Sequence, residues 1–109
     1  MDPQLKKGIL DALVLALIKD GDTYGYQLSE RVAEIVDVAE TALYPVLRRQ
    51  ETQGMLETYS VEHNGRLRKY YRITGAGRAK LGEFIEELSE LERLIAVIMK
   101  GARNDGKQA

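Results

Sequence analysis

The dipeptide Asn64-Gly65 restricts this chain more than any other feature. It sits in "HNGR", between the runs "MLETYSVE" and "LRKYYRIT". Asn-Gly between two β-rich runs predicts a hairpin with a two-residue type I′ turn, because both central positions need a positive φ. With these two residues as the turn, His63 pairs with Arg66. Counting outward, Tyr59 then faces Tyr70, Glu57 faces Arg72 and Leu56 faces Ile73. An aromatic pair, an ion pair and an aliphatic pair arise from one register. Cross-strand pairs of these kinds each stabilise a hairpin by roughly 0.2–1 kcal/mol. A lone two-stranded hairpin is unstable in water, so it must lie on other elements. Leu56 and Ile73 at its base are suited to that.

The other elements read as helices. Leu5, Ile9, Ala12, Leu13, Ala16 and Leu17 recur at three and four, which predicts a helix over residues 4–19 with Pro3 at its start. Gly21 breaks it. Thr23 is placed to cap a second helix, Tyr24 to Val36, with Leu28, Val32 and either Ile35 or Val36 inward. "DVAET" is a short connection. A third helix follows from Ala42 to Gln53, with Thr41 as its cap and Leu43, Val46, Leu47 and Gln50 inward. Pro45 falls early in that helix, where its missing N–H costs little. After the hairpin, Thr74 caps a long helix from Ala76 to Lys100. Its residues Leu81, Phe84 or Ile85, Leu88, Leu91, Ile95 and Ile98 follow the alternation of a heptad seam. The last nine residues read as a frayed tail.

The 109 residues suit one domain and leave no room for a second. With no cysteine, disulfides and thiolate metal sites are excluded. The longest apolar run, "ALVLALI", is far short of the roughly 20 residues that span a bilayer. The first residues lack the features of a signal peptide. Together these predict a cytoplasmic protein with no membrane association. The net charge is −1, but it is unevenly spread. Residues 40–80 hold eight Lys/Arg against four acids. The segments on either side are each acidic by three, before a slightly basic tail. A local excess of this kind is what contact with a polyanion requires.

The order helix, helix, helix, hairpin, long helix predicts a mainly α fold with a minor β part. It is a winged helix-turn-helix with a two-stranded wing and a long C-terminal dimerisation helix. Residues 1–75 form the DNA-binding domain, 76–100 the dimerisation helix and 101–109 the tail. In such a motif the second helix of the pair enters the major groove, its N-terminal residues toward base edges. Thr41, Ala42, Tyr44, Pro45, Arg48 and Arg49 occupy the open side of that helix. Thr41 and Tyr44 offer hydroxyls, Ala42 and Pro45 can touch a thymine methyl, and Arg48 can reach phosphate or a guanine edge. At the wing, His63, Asn64, Arg66, Arg68 and Lys69 would approach backbone or minor groove.

Three stretches, "LVLALIKDGDTYGYQLSERV", "TALYPVLRRQETQGMLE" and "RKYYRITGAGRAKL", closely resemble the PadR-like transcriptional regulators, and the long last helix suits their short-chain branch. The resemblance runs from about Gly8 to Leu81. It implies a homodimeric winged-helix repressor on a pseudo-palindromic double-stranded operator, released in many relatives by a small molecule or a stress signal. It also implies contacts from Thr41, Tyr44, Arg48 and the wing, and phosphate contacts from Tyr24, Tyr26 and Gln27. Where the family has a glycine before its Thr-Leu-Tyr, this chain has Glu40, which would point at Arg49 or at solvent.

Dimerisation is also expected on physical grounds. The last helix carries more apolar surface than a lone helix flank can hide, and the first is apolar on a broad face. Leu5, Ile9 and Leu13 would meet Leu81, Phe84, Ile85, Leu88, Leu91, Ile95 and Ile98 of the seam, and a two-fold pair would space two recognition helices by about one DNA turn. Some relatives hold flat drugs between tryptophans at the dimer centre, and this chain has no tryptophan. An effector pocket lined by Leu17, Phe84, Leu88 and Leu91 remains open to it, with Leu13 and Ile95 beside them. No enzyme, metal or cofactor is expected: His63 is the only histidine, and no triad or ligand spacing is present. "GAGRAKL" lacks a βαβ context, and its glycines serve a turn. The competing classes are a winged-helix protein-interaction module and a ligand sensor without DNA binding. Acids in place of the basic face would mark the first, and polar groups inside the seam the second.

Overall fold

A computed structural model describes the backbone of residues 3–108 and the side chains of residue 4 and residues 6–102. In chain order the elements are α1 (Pro3–Lys19), β1 (Thr23–Tyr24), α2 (Gly25–Ile35), α3 (Glu40–Thr52), β2 (Leu56–His63), β3 (Arg66–Ile73) and α4 (Gly75–Gln108). The hairpin has the expected register through all eight pairs, from Leu56 with Ile73 to His63 with Arg66. Its turn residues have positive φ, 52° at Asn64 and 79° at Gly65.

The sheet has three strands, not two. β1 joins the outer edge of β3 in the order β1-β3-β2, with Thr23 opposite Tyr71 and Tyr24 opposite Tyr70. Thr23 is therefore a buried strand residue and not the cap of α2. Its hydroxyl donates to Gln27 Oε1 at 2.6 Å, and Tyr24 stands at the N-cap with no side-chain bond. α3 also begins earlier than expected. Ala39 is the N-cap, Ala42 N–H donates to Ala39 O at 2.9 Å, and Thr41 lies inside the first turn. An acidic Glu40 in that turn suits the positive end of the helix dipole.

The core lies where α1, α2, α3 and the hairpin base meet. Leu28 and Val32 of α2 are buried, as are Leu43, Val46, Leu47 and Gln50 of α3. At the third inward position of α2, Val36 packs on the core while Ile35 faces solvent. On α1 the buried residues are Leu10, Val14, Leu15 and Ile18 with Ala12, so the core face is not the stripe read from the sequence. Ile9, Leu13, Ala16 and Leu17 form a second, half-buried apolar side. A helix apolar on two sides needs cover on both.

α4 starts as the capping signal implied. Thr74 Oγ1 accepts from Gly77 N–H at 3.0 Å and donates to Gly54 O at 2.6 Å. Gly77 is pressed against the α3–β2 turn: a Cβ there would lie 2.2 Å from the Met55 carbonyl oxygen. The helix then continues to Gln108, past Lys100, so the segment expected to fray is helical backbone. No proline interrupts it. At about 1.5 Å per residue, 34 residues make a rod of roughly 50 Å, which sets the 65 Å long axis of the molecule. Leu81 belongs to the chain's own core, and Phe84 packs against it. From Ile85 onward the large apolar residues of α4 are between 37 % and 66 % exposed.

Candidate nucleic-acid interface

α3 presents Thr41, Ala42, Tyr44, Pro45 and Arg48 to solvent, because its opposite stripe is anchored in the core. Tyr44 leans back on the start of α2. A Cβ on Gly25 would lie 3.1 Å from its ring, so the glycine makes room for it. Its hydroxyl donates to Glu40 Oε1 at 3.0 Å, and that carboxylate pushes the phenol pKa up. Glu40 thus pairs with Tyr44 and not with Arg49, and it remains solvent-exposed. On α2, Tyr26 is exposed, with Glu30 raising its pKa through a hydrogen bond. Gln27 is engaged by Thr23.

The basic residues divide by what they already touch. Arg49 turns away from the open face of α3 and pairs with Asp11 of α1, whose backbone carbonyl also accepts from Gln50 Nε2 at 3.1 Å. It ties two helices together and is not part of the exposed basic face. Lys69 pairs with Glu51 at 3.3 Å. Arg72 pairs with Asp22 at 3.2 Å and, more loosely, with Glu57 at 3.8 Å. Among the described residues, no carboxylate pairs with Arg48, Arg66 or Arg68. Arg48 stands on α3, and Arg66 and Arg68 stand on one face of the wing near Asn64. The segment's charge excess is therefore carried by fewer residues than the sequence suggested.

Asp11 offers a test of the Arg49 assignment. Burial raises its carboxyl pKa, and the charges of Arg49 and Lys7 pull it back down. Arg49→Met removes the stronger pull and leaves a half-buried carboxylate, for an expected loss of about 1–2 kcal/mol, below the cost at a fully buried pair because both groups are partly exposed. A raised folded pKa means that the proton favours the folded state. That contribution is complete below the unfolded value and is lost as pH rises through the folded one. The stability gap between variant and wild type, read from urea midpoints, should be larger at pH 7 than at pH 4. An equal gap at both would remove Asp11 as the cause.

Phe84, Leu88 and Leu91 line a common open groove of about 200 Å³ with Ile9 and Ala12 of α1. Leu17 is not among its walls; it packs on the core instead. Leu13 and Ile95 are not among them either. The side chain of Leu5 lies outside the described residues. Among the described residues there is no group of three or more His, Asp or Glu placed to hold a metal, and no helix is long and apolar enough to cross a membrane.

Sequence reasoning missed the acids that decide which arginines are free. Asp11 and Asp22 lie 38 and 50 residues from Arg49 and Arg72, so no local pattern links them. Tyr59, whose hydroxyl donates to Asp22 at 2.6 Å, was visible only as a hairpin partner.

Residues 14–83 match the model of the transcriptional regulator PadR-like family. A transcriptional regulator from Mycobacterium tuberculosis is 37% identical over 75 residues, which is 68% of this chain and 70% of that one. A solved structure from Streptococcus mutans UA159 superposes with a TM-score of 0.80 at 37% identity, covering 86% of this chain and 89% of the other. A PadR-like transcriptional regulator from Bacillus cereus gives 0.80 at 29% identity, covering 88% and 96%. Sequence match, element order and wing agree, and the family is one of regulators, not enzymes: this chain belongs to the transcriptional regulator PadR-like family.

Proposed function

We propose that the protein regulates transcription as a repressor, binding a pseudo-palindromic operator as a homodimer. The observation that carries this reading is three arginines on the DNA-facing elements that, among the described residues, have no ion pair. Arg48 on α3 and Arg66 and Arg68 on the wing keep uncompensated charge on the two elements that a winged helix offers to DNA. α3 enters the major groove with Thr41, Ala42 and Pro45 leading. Tyr44 gives up its bond to Glu40 where a phosphate competes for the hydroxyl. The wing arginines meet the adjacent backbone, joined by Asn64 at the turn. Tyr26 stands exposed at the start of α2 and meets phosphate there.

The dimer forms along α4, whose residues Ile85, Leu88, Leu91, Ile95 and Ile98 are 37–66 % exposed within one chain. The half-buried side of α1, with Ile9 and Leu13, adds to the seam. Two such chains place their recognition helices about 34–36 Å apart, one turn of duplex.

The test is binding to the DNA upstream of the protein's own gene, against a scrambled duplex, at several salt concentrations. Each neutralised phosphate contributes a slope of about −0.9 in log K against log salt. Selective binding with a steep slope supports the reading, and weak binding without preference points to a protein-contact module. Within this frame, Arg48→Ala should weaken operator binding by about 1–3 kcal/mol. If Arg48 reads a guanine edge, selectivity falls with affinity. If it holds a phosphate, operator and scrambled DNA weaken equally.

A further inference from the structure

We infer that Tyr24 is a positioning residue for DNA binding, acting through Arg68, and that Arg68 is the wing's prealigned anion clamp. The inference rests on the DNA-binding reading above.

β1 sets Tyr24 opposite Tyr70, and the hairpin sets Tyr59 opposite Tyr70 on its other side. Three tyrosines therefore form one row across all three strands. Tyr24 and Tyr70 meet edge to face with centroids 5.5 Å apart, and Tyr70 and Tyr59 stack at 5.5 Å. A guanidinium closes each end. Arg68 lies 4.0 Å from the Tyr24 centroid and Arg72 lies 4.6 Å from that of Tyr59. Each end ring is thus already in contact with a guanidinium, which competes with a nucleobase for an open face. What the row does is hold two arginines.

The two ends differ in charge. Arg72 is neutralised by Asp22 and Glu57. Arg68 has the ring and, among the described residues, no carboxylate. Stacking on an aromatic ring uses the face of a guanidinium and leaves its N–H edge for a bidentate acceptor. A flexible arginine must be ordered on binding, whereas this one is held beforehand. Tyr24 is also the N-cap residue of α2 and a β1 residue paired to the wing. One side chain therefore fixes the wing arginine relative to the helix-turn-helix. Tyr24 thereby acts without its own hydroxyl touching DNA.

The experiment uses the full chain and the duplex from upstream of its gene, titrated across salt. The proteins are wild type, Tyr24→Phe, Tyr24→Leu, Arg68→Ala, Arg68→Lys and the Tyr24→Leu/Arg68→Ala pair. Arg68→Ala should weaken binding roughly tenfold and reduce the salt slope by about one, as for one lost phosphate contact. Tyr24→Leu should reproduce most of that loss, the double variant should be no weaker than Arg68→Ala, and Tyr24→Phe should stay within about twofold of wild type, since coupled residues do not add. Arg68→Lys keeps the charge and loses the planar stack, so it should recover little. That comparison holds even where Tyr24→Leu does not fold. Additive losses overturn the inference, as does a Phe variant as weak as the Leu variant, or a Lys variant equal to wild type. A wild type that does not prefer the operator sinks the DNA reading itself, and the inference with it. Selective wild-type binding with additive losses sinks the inference alone.

Discussion

Gly77→Ala is expected to destabilise the protein by about 3 kcal/mol, at the upper end for overpacking, and to lower the melting temperature by roughly 10 °C or more. The added methyl would sit 2.2 Å from the Met55 carbonyl oxygen and 2.8 Å from Ile73 Cγ1. Flexible side chains can yield to such an intrusion, but this oxygen cannot. It accepts the Thr74 N–H at 3.0 Å, in the bond that joins the end of β3 to the α3–β2 turn. α4 would have to retreat, taking Leu81 out of the core and the cap at Thr74 with it. Gly82, one and a half turns later on the same helix, provides the contrast. Nothing lies within 4 Å of a Cβ there, so Gly82→Ala should raise stability by about 0.5–1 kcal/mol. Thermal melts of the two variants decide the matter. A Gly77→Ala protein as stable as wild type would show that α4 does not dock as described.

Leu88→Asp is expected to convert the protein to monomers and to weaken operator binding by about a hundredfold or more, the loss of one of two linked half-site contacts. Leu88 is 38 % exposed in one chain, so the substitution should leave the monomer's melting curve nearly intact. Leu81→Asp, at a core position 4 % exposed, should unfold it. Light scattering reads the mass and a salt-matched titration reads the affinity. A Leu88→Asp monomer that still bound its operator tightly would refute the two-fold arrangement.

The parts of the fold legible in the sequence are those fixed by short-range chemistry. Asn64-Gly65 set a turn type, the turn set the register, and the register placed Tyr59 on Tyr70. Thr74 capped α4 because its hydroxyl reaches three residues ahead. The inward stripe of α3 emerged because polar residues interrupt it clearly on the other side. β1 was not legible, since two residues carry no periodicity. Nor was the core face of α1: a helix apolar on two sides gives no phase, and only packing against α2, α3 and the sheet selects Val14, Leu15 and Ile18. Composition placed the candidate site in the middle segment, while Asp11, Glu51 and Asp22 decide which bases stay free.

Every residue from 85 to 102 in α4 is exposed. The large apolar residues along it, 37–66 % exposed, would gain cover from a second copy, and that gain obeys mass action. When the seam is made by a second copy, the concentration of paired arms rises with the square of free chain concentration at low abundance. On the proposed two-fold arrangement, the same apolar stripe would make the regulator's output steeper than linear in its own copy number, with the protein's abundance acting as a threshold.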